Sequence, residues 1–145
     1  MAKGYPSPYE DISMPVKAPI STPYGSQEGS ATKENDTHEG VDFEVSEGAV
    51  IRATAAGRAV RVSLEKKKGS GRTSRVLEID HGNGNTSIYE NLTSIWLEVG
   101  DTVAKGQDVG ELSGNTGSTK AQLHYEERYQ NRPHPPTFDP ANYQP

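Results

Sequence analysis

The sequence predicts an all-β domain, and three observations carry that prediction. Gly (15) and Pro (10) punctuate the 145 residues at short intervals, as expected of brief strands joined by turns. Runs in which apolar and polar residues alternate recur between those breaks, the period of a half-buried strand. No stretch shows a sustained 3.6-residue apolar period, and long leucine-rich segments are absent. Hydrophobic residues make up 31% of the chain, so the core is modest, although the length suffices for one domain.

Residues 1–18, rich in Pro, Tyr and charge, read as an irregular arm, and residues 19–145 as a single β domain. Ala18 to Gly25 reads as a first strand closed by a turn. Ser26 to Thr37 is polar and reads as an exposed loop that delivers His38. Val41 and Phe43 then alternate with Asp42. Val50-Ile51-Arg52-Ala53 leads to Gly57, and Val60, Val62 and Leu64 alternate with polar neighbours. Glu65–Thr73 carries Lys66-Lys67-Lys68, Gly69-Ser70-Gly71 and Arg72, and is expected to be a mobile, solvated hairpin tip. Leu77, Ile79 and His81 alternate before the turn Gly82-Asn83-Gly84-Asn85, and Ile88-Tyr89 precedes Glu90-Asn91-Leu92. Val99 to Val103 holds a tight turn between two valines. Gln107 to Leu112 is another strand, Gly114 to Gly117 a loop, and Gln122 to Glu126 the last strand. From Arg132 to Pro145 lie five of the ten prolines, which argues against regular sheet there.

A net charge of −5 disfavours a nucleic-acid surface, which needs clustered basic residues. No segment approaches membrane-spanning length. With no Cys, disulfides and thiolate ligands are excluded. The first residues lack the apolar stretch of a secretory signal.

One polar face stands out. In Gln122-Leu123-His124-Tyr125-Glu126, strand alternation turns Leu123 and Tyr125 inward and leaves Gln122, His124 and Glu126 together on the other face. The natural counterpart is His38-Glu39-Gly40-Val41-Asp42. A helix through it is disfavoured, since Gly40 costs about 1 kcal/mol there relative to Ala, so His38 and Asp42 are related as loop to strand. Two His and one Asp make a three-ligand zinc site with an open fourth position. His38, Asp42 and His124 are therefore the expected metal ligands. Glu126 is a candidate for orienting a ligand, with Tyr89 beside it, while His81 reads as structural and His134 as exposed.

These motifs resemble the LytM/lysostaphin-type zinc peptidases, the M23 peptidase family, over residues 19–140. His38 to Asp42 resembles the family's HxGxD, and Tyr89-Glu90-Asn91-Leu92 its YxHL. Val99 to Val103 with Lys105-Gly106-Gln107 resembles GDxVxxGQ. Gly114 to Ser118 resembles GxTG, and Gln122 to Glu126 resembles HLHFE. The resemblance implies folded antiparallel sheets of the duplicated hybrid motif type with a groove, a zinc ion on His38, Asp42 and His124, and action on peptide cross-links of bacterial cell walls.

The departures are informative. Where the family has two further histidines that assist hydrolysis, this chain has Asn91 and Gln122. A carboxamide donates and accepts hydrogen bonds but does not carry a proton near neutral pH as imidazole does. Loss of such proton transfer costs about 10²–10⁴ in rate. Glu90 is a conceivable replacement base, but strand alternation is expected to aim it away from the face of Asn91. The favoured expectation is a zinc-keeping, hydrolytically impaired domain that binds bacterial peptidoglycan peptide or a protein of the cell envelope or a virion. The alternatives are a working zinc endopeptidase and a metal-free structural or interaction module, such as one of a phage virion. On the resemblance, the place of action is the cell envelope or outside the cell.

Overall fold

Eleven strands in two antiparallel sheets make up the computed structural model, which describes residues 15–16, 20–22, 40–45, 48–66, 73–82, 84–112 and 121–134. No helix occurs among them. The strands are β1 (Ile20–Thr22), β2 (Val41–Val45), β3 (Ala49–Arg52), β4 (Gly57–Lys66), β5 (Thr73–Gly82), β6 (Asn85–Leu92), β7 (Ser94–Ile95), β8 (Thr102–Val103), β9 (Asp108–Leu112), β10 (Ala121–Tyr129) and β11 (Arg132–His134). The larger sheet runs β1-β2-β10-β6-β5-β4-β8, with β11 paired to β10, and the smaller runs β3-β9-β7.

Alternation decides the burial. In β2, Val41, Phe43 and Val45 are buried while Asp42 and Glu44 are half-buried on the other face. In β10, Leu123 and Tyr125 are fully buried. These side chains join Leu77, Ile79 and Tyr89 of the large sheet and Ile51, Val109 and Leu112 of the small sheet in one apolar cluster. Tyr89 and Tyr125 meet edge to face, with ring centroids 5.2 Å apart, a contact worth about 0.5–1.5 kcal/mol beyond burial.

Two tyrosine hydroxyls inside this core need partners, and Thr54 supplies them. Its N–H donates to Tyr89 Oη at 2.9 Å, and its Oγ1 lies 2.8 Å from Tyr125 Oη. Tyr125 in turn donates to Glu127 Oε2 at 2.9 Å, so a fully buried carboxylate is bonded within the same cluster. His81 is also held internally. Its Nδ1 lies 2.7 Å from the Ala56 carbonyl and its Nε2 2.8 Å from Ser87 Oγ. A carbonyl only accepts, so Nδ1 donates to Ala56, while the other ring nitrogen is held against the Ser87 hydroxyl.

The structure corrects the sequence reading at several points. The β4–β5 ladder continues to the pair Lys66↔Thr73, so Glu65, Lys66 and Thr73 belong to strands; the expected mobility of the tip falls on residues 67–72, outside the described set. The proline-rich tail begins as a strand. Arg132–His134 pairs with β10, and Pro133 lies opposite Arg128. The outer strand of a hairpin accommodates a proline, which has no N–H to offer. The intervening turn has positive φ at both Gln130 (51°) and Asn131 (67°), the conformation of a two-residue type I′ hairpin. The short strand β7 went unpredicted. Of the expected arm, only Pro15 and Val16 are described, and they are anchored: Val16 is buried in the apolar cluster, and the Arg52 N–H donates to the Pro15 carbonyl at 2.8 Å. The rest of the arm, the Ser26–Thr37 loop, the Gly114–Gly117 loop and the exposure of the His134 side chain lie outside the described residues.

Two outcomes follow from the buried polar groups. Thr54→Val removes the hydroxyl partner of Tyr125 and should destabilise the fold by about 1–3 kcal/mol, measured by urea unfolding. Burial, the largest influence on His81, holds its pKa below the usual 6.5 despite the opposing Ala56 carbonyl and Asp80. Below pH 6.5 the unfolded chain therefore takes up a proton that the folded chain refuses. Stability should fall as pH drops through that window, and His81→Gln should flatten the decline in unfolding midpoints recorded across it.

Candidate metal-binding groove

The candidate site is a row of three side chains across three adjacent strands. β10 lies between β2 and β6, and its His124 is directly opposite Asp42 on one side and Glu90 on the other. Directly opposed residues share a face, with Cβ atoms about 4.5–5.5 Å apart. The alternation that buries Leu123 and Tyr125 thus presents His124 to that row.

His124 is clamped at both ring nitrogens. Nδ1 lies 2.8 Å from Asp42 Oδ1, and Nε2 lies 2.8 Å from Glu126 Oε2. Glu126 is itself fixed, because Arg128 donates to its Oε1 through Nε at 3.0 Å and Nη2 at 2.7 Å. Burial opposes a positive charge on His124, but the hydrogen bonds to Asp42 and Glu126 and the charges of Glu126 and Glu90 outweigh it and push the pKa up to about 10. Burial likewise favours protonation of Glu126, yet its bonds to His124 and Arg128 hold its pKa below the ordinary value.

This donor set suits a divalent cation. A carboxylate on one imidazole nitrogen fixes the ring and leaves the other nitrogen to ligate. Here Glu126 takes Nε2, and Nδ1 faces the carboxylate of Asp42. Glu90, His124 and Glu126 also bring one ligand atom each within 4.8 Å of one another. His38, the third expected ligand, lies outside the described residues. Gly40, two residues before Asp42, is buried and packs directly on this cluster. A Cβ there would meet the Tyr125 carbonyl oxygen, and would lie 2.8 Å from Glu126 Cγ and 3.1 Å from His124 Cε1. The glycine in this stretch is therefore a requirement of close approach.

The other predicted residues are distributed differently. Between the pairs Leu77↔Tyr89 and Arg75↔Leu92, two steps along β5 match three along β6. That surplus residue is a β-bulge, and Asn91 within it has φ of 75°. The bulge accounts for the failure of simple alternation here: Glu90, expected to point away, lies opposite His124. The Asn91 carboxamide is engaged in the framework. Its Nδ2 donates to the Gln122 carbonyl at 3.0 Å, and Ser74 Oγ donates to its Oδ1 at 3.3 Å. Gln122 is exposed. Tyr89, considered as a neighbour of the ligands, is fully buried on the core face, bonded to Thr54. Arg128 was overlooked, although the two-residue period from His124 through Glu126 places it on the same face.

With this geometry established, comparisons identify the kinship. The profile of Peptidase family M23 matches residues 36–136. An uncharacterized metalloprotease of Haemophilus influenzae is 35% identical over 112 residues, covering 76% of this chain and 22% of that protein. The peptidoglycan DD-endopeptidase ShyA of Vibrio cholerae is 34% identical over 103 residues, covering 70% of this chain and 23% of that protein. The chain thus spans less than a quarter of the length of either relative. Among solved structures, a zinc-containing peptidase from Vibrio cholerae superposes with a TM-score of 0.69 at 24% identity, over 85% of this chain and 38% of that one, a likeness of fold. The profile match over most of the chain, on a fold of the same kind, shows that this chain belongs to peptidase family M23.

Proposed function

We propose that this domain binds peptides of bacterial peptidoglycan in a zinc-containing groove and hydrolyses them poorly. The ligands in this reading are His38, Asp42 and His124. Zinc, when bound, supplies a Lewis acid and a water whose pKa falls to about 7. Asp42 and His124 stand ready for that role because Glu126 and Arg128 already fix the imidazole. Peptide hydrolysis also needs a group that takes a proton from water and returns one to the leaving amine.

The observation that carries the impaired reading is the engagement of Asn91. Its amide is bonded to the backbone of Gln122, the other helper position, and neither carboxamide exchanges protons as imidazole does. The two positions are joined as framework. Support for the substrate class comes from the family and from a relative named as a peptidoglycan endopeptidase. A second reading, an active endopeptidase, is favoured by one observation: Glu90, a carboxylate, lies directly opposite His124 and offers a base where imidazole is missing.

Zinc titration followed by elemental analysis should give one ion per chain, and His124→Ala should bind none. Failure of the intact chain to retain zinc would leave a metal-free interaction module. Release of new amino termini from purified peptidoglycan separates the two zinc readings. The chain as written should release none above a chelated control. Asn91→His with Gln122→His should restore release, and each single change should do less, since groups acting as a unit are non-additive. Histidine tolerates the positive φ at position 91 better than most residues. Chelator-sensitive release by the unaltered chain, lost in Glu90→Gln, would instead establish the endopeptidase.

A further inference from the structure

β4 is an edge strand with a self-complementary sequence. Its inner side pairs with β5 from Arg58 to Lys66, with a bulge at Val60 and a regular ladder from Arg61 onward, while its outer side meets β8 at Gly57↔Val103 and Arg58↔Thr102. That contact is prolonged by bonds of Ala59 to Gly100 and Asp101. Among the described residues no strand lies against the outer side beyond Ala59. Such an edge presents backbone N–H and C=O groups to any extended partner. Leu64 on this strand is 56% exposed and Val60 is 42% exposed.

The residues around Ser63 read as a palindrome of charge and apolarity. If a second copy of β4 lies antiparallel about a two-fold axis through Ser63, Arg61 faces Glu65 of the second copy and Val62 faces its Leu64. Both pairs recur on the other side of the axis, as an isologous interface requires. Shifting the register by two residues sets Arg61 against Ser63 and Glu65 against Ala59, which loses both charge pairs. In the single chain Arg61 lies along its own strand to reach Glu65, with Nη1 2.6 Å from Oε2, and its Nε contacts Glu78 at 3.1 Å. That reach spans four residues, about 13 Å of extended strand. A directly opposed Glu65 would be nearer, its Cβ about 4.5–5.5 Å from that of Arg61. The bond to Glu78 is untouched by such an exchange.

We propose that the outer edge of β4 over Arg61–Glu65 is an interaction surface for a second copy of this chain, joined as an antiparallel strand pair centred on Ser63. This surface is separate from the groove of His124, and its assembly does not depend on zinc or hydrolysis.

Sedimentation velocity of the full chain over a wide concentration range tests it directly. The chain should pass reversibly from monomer to dimer. Arg61→Glu and Glu65→Arg each place like charges face to face and should weaken association roughly tenfold. An equimolar mixture of those two variants restores opposite charges at both pairs and should associate as tightly as the unaltered chain. That recovery also shows that both variants are folded. Because the chain has no cysteine, Ser63→Cys reports one contact only. It should oxidise to a disulfide-linked dimer faster than Leu64→Cys, whose opposite residue is Val62. A chain that stays monomeric throughout overturns the proposal. A mixture no tighter than its components, or equal oxidation of the two cysteine variants, overturns the register and with it this surface.

Discussion

The placement of β10 between β2 and β6 is the constraint on which the rest of the structure depends. Its inward residues, Leu123 and Tyr125, are fully buried, so the ladder cannot slip by one residue without expelling them from the core. The same register fixes His124 between Asp42 and Glu90. Apolar burial, which has no directional chemistry of its own, thereby sets the geometry of a polar site. The site inherits its precision from the core beneath it.

The two sides of β10 also manage charge differently. On the groove side, Asp42, Glu90 and Glu126 surround a single imidazole, and Arg128 offsets part of the negative field. On the core side, Glu127 is buried and bonded to Tyr125, which Thr54 links to Tyr89. Consecutive acidic residues, Glu126 and Glu127, thus serve opposite faces of one strand. A cation ligated by Asp42 and His124 would enter a field already shaped to receive it, which is consistent with the metalloprotease kinship without depending on it.

Much of this was legible in the sequence, because the period of two is a strong signal wherever one face is apolar. Strands β2, β4, β5, β9 and β10 were visible from their valines, leucines and isoleucines, and with them the facing of Asp42 and His124. What failed was local backbone geometry. Alternation does not report the bulge that carries Asn91, so it misjudged Glu90. A hairpin whose outer strand contains Pro133 looks like a chain break when composition alone is considered, although Gln130-Asn131 satisfies the turn. The two-residue strand β7 buries too little to leave a pattern. Arg128 was within reach of the argument, since it continues the face of His124 and Glu126.

The bulge in β6 makes the groove unequally tolerant of two kinds of genetic change. Substitution at Glu90 or Asn91 alters chemistry while leaving the path of the strand in place. Loss of one residue there would shorten the three-residue side of the mismatch to two and rotate the segment between Tyr89 and Leu92. The pairing would then run two steps against two, which keeps Tyr89 and Leu92 on the buried face but removes the kink that holds Asn91 against Ser74 and Gln122. Such a lineage can exchange imidazole, carboxamide and carboxylate at these positions by point mutation, whereas its strand lengths are held fixed. Divergence in activity among chains built this way is expected to arise through replacement of letters, with insertions and deletions confined to the connections outside the ladder.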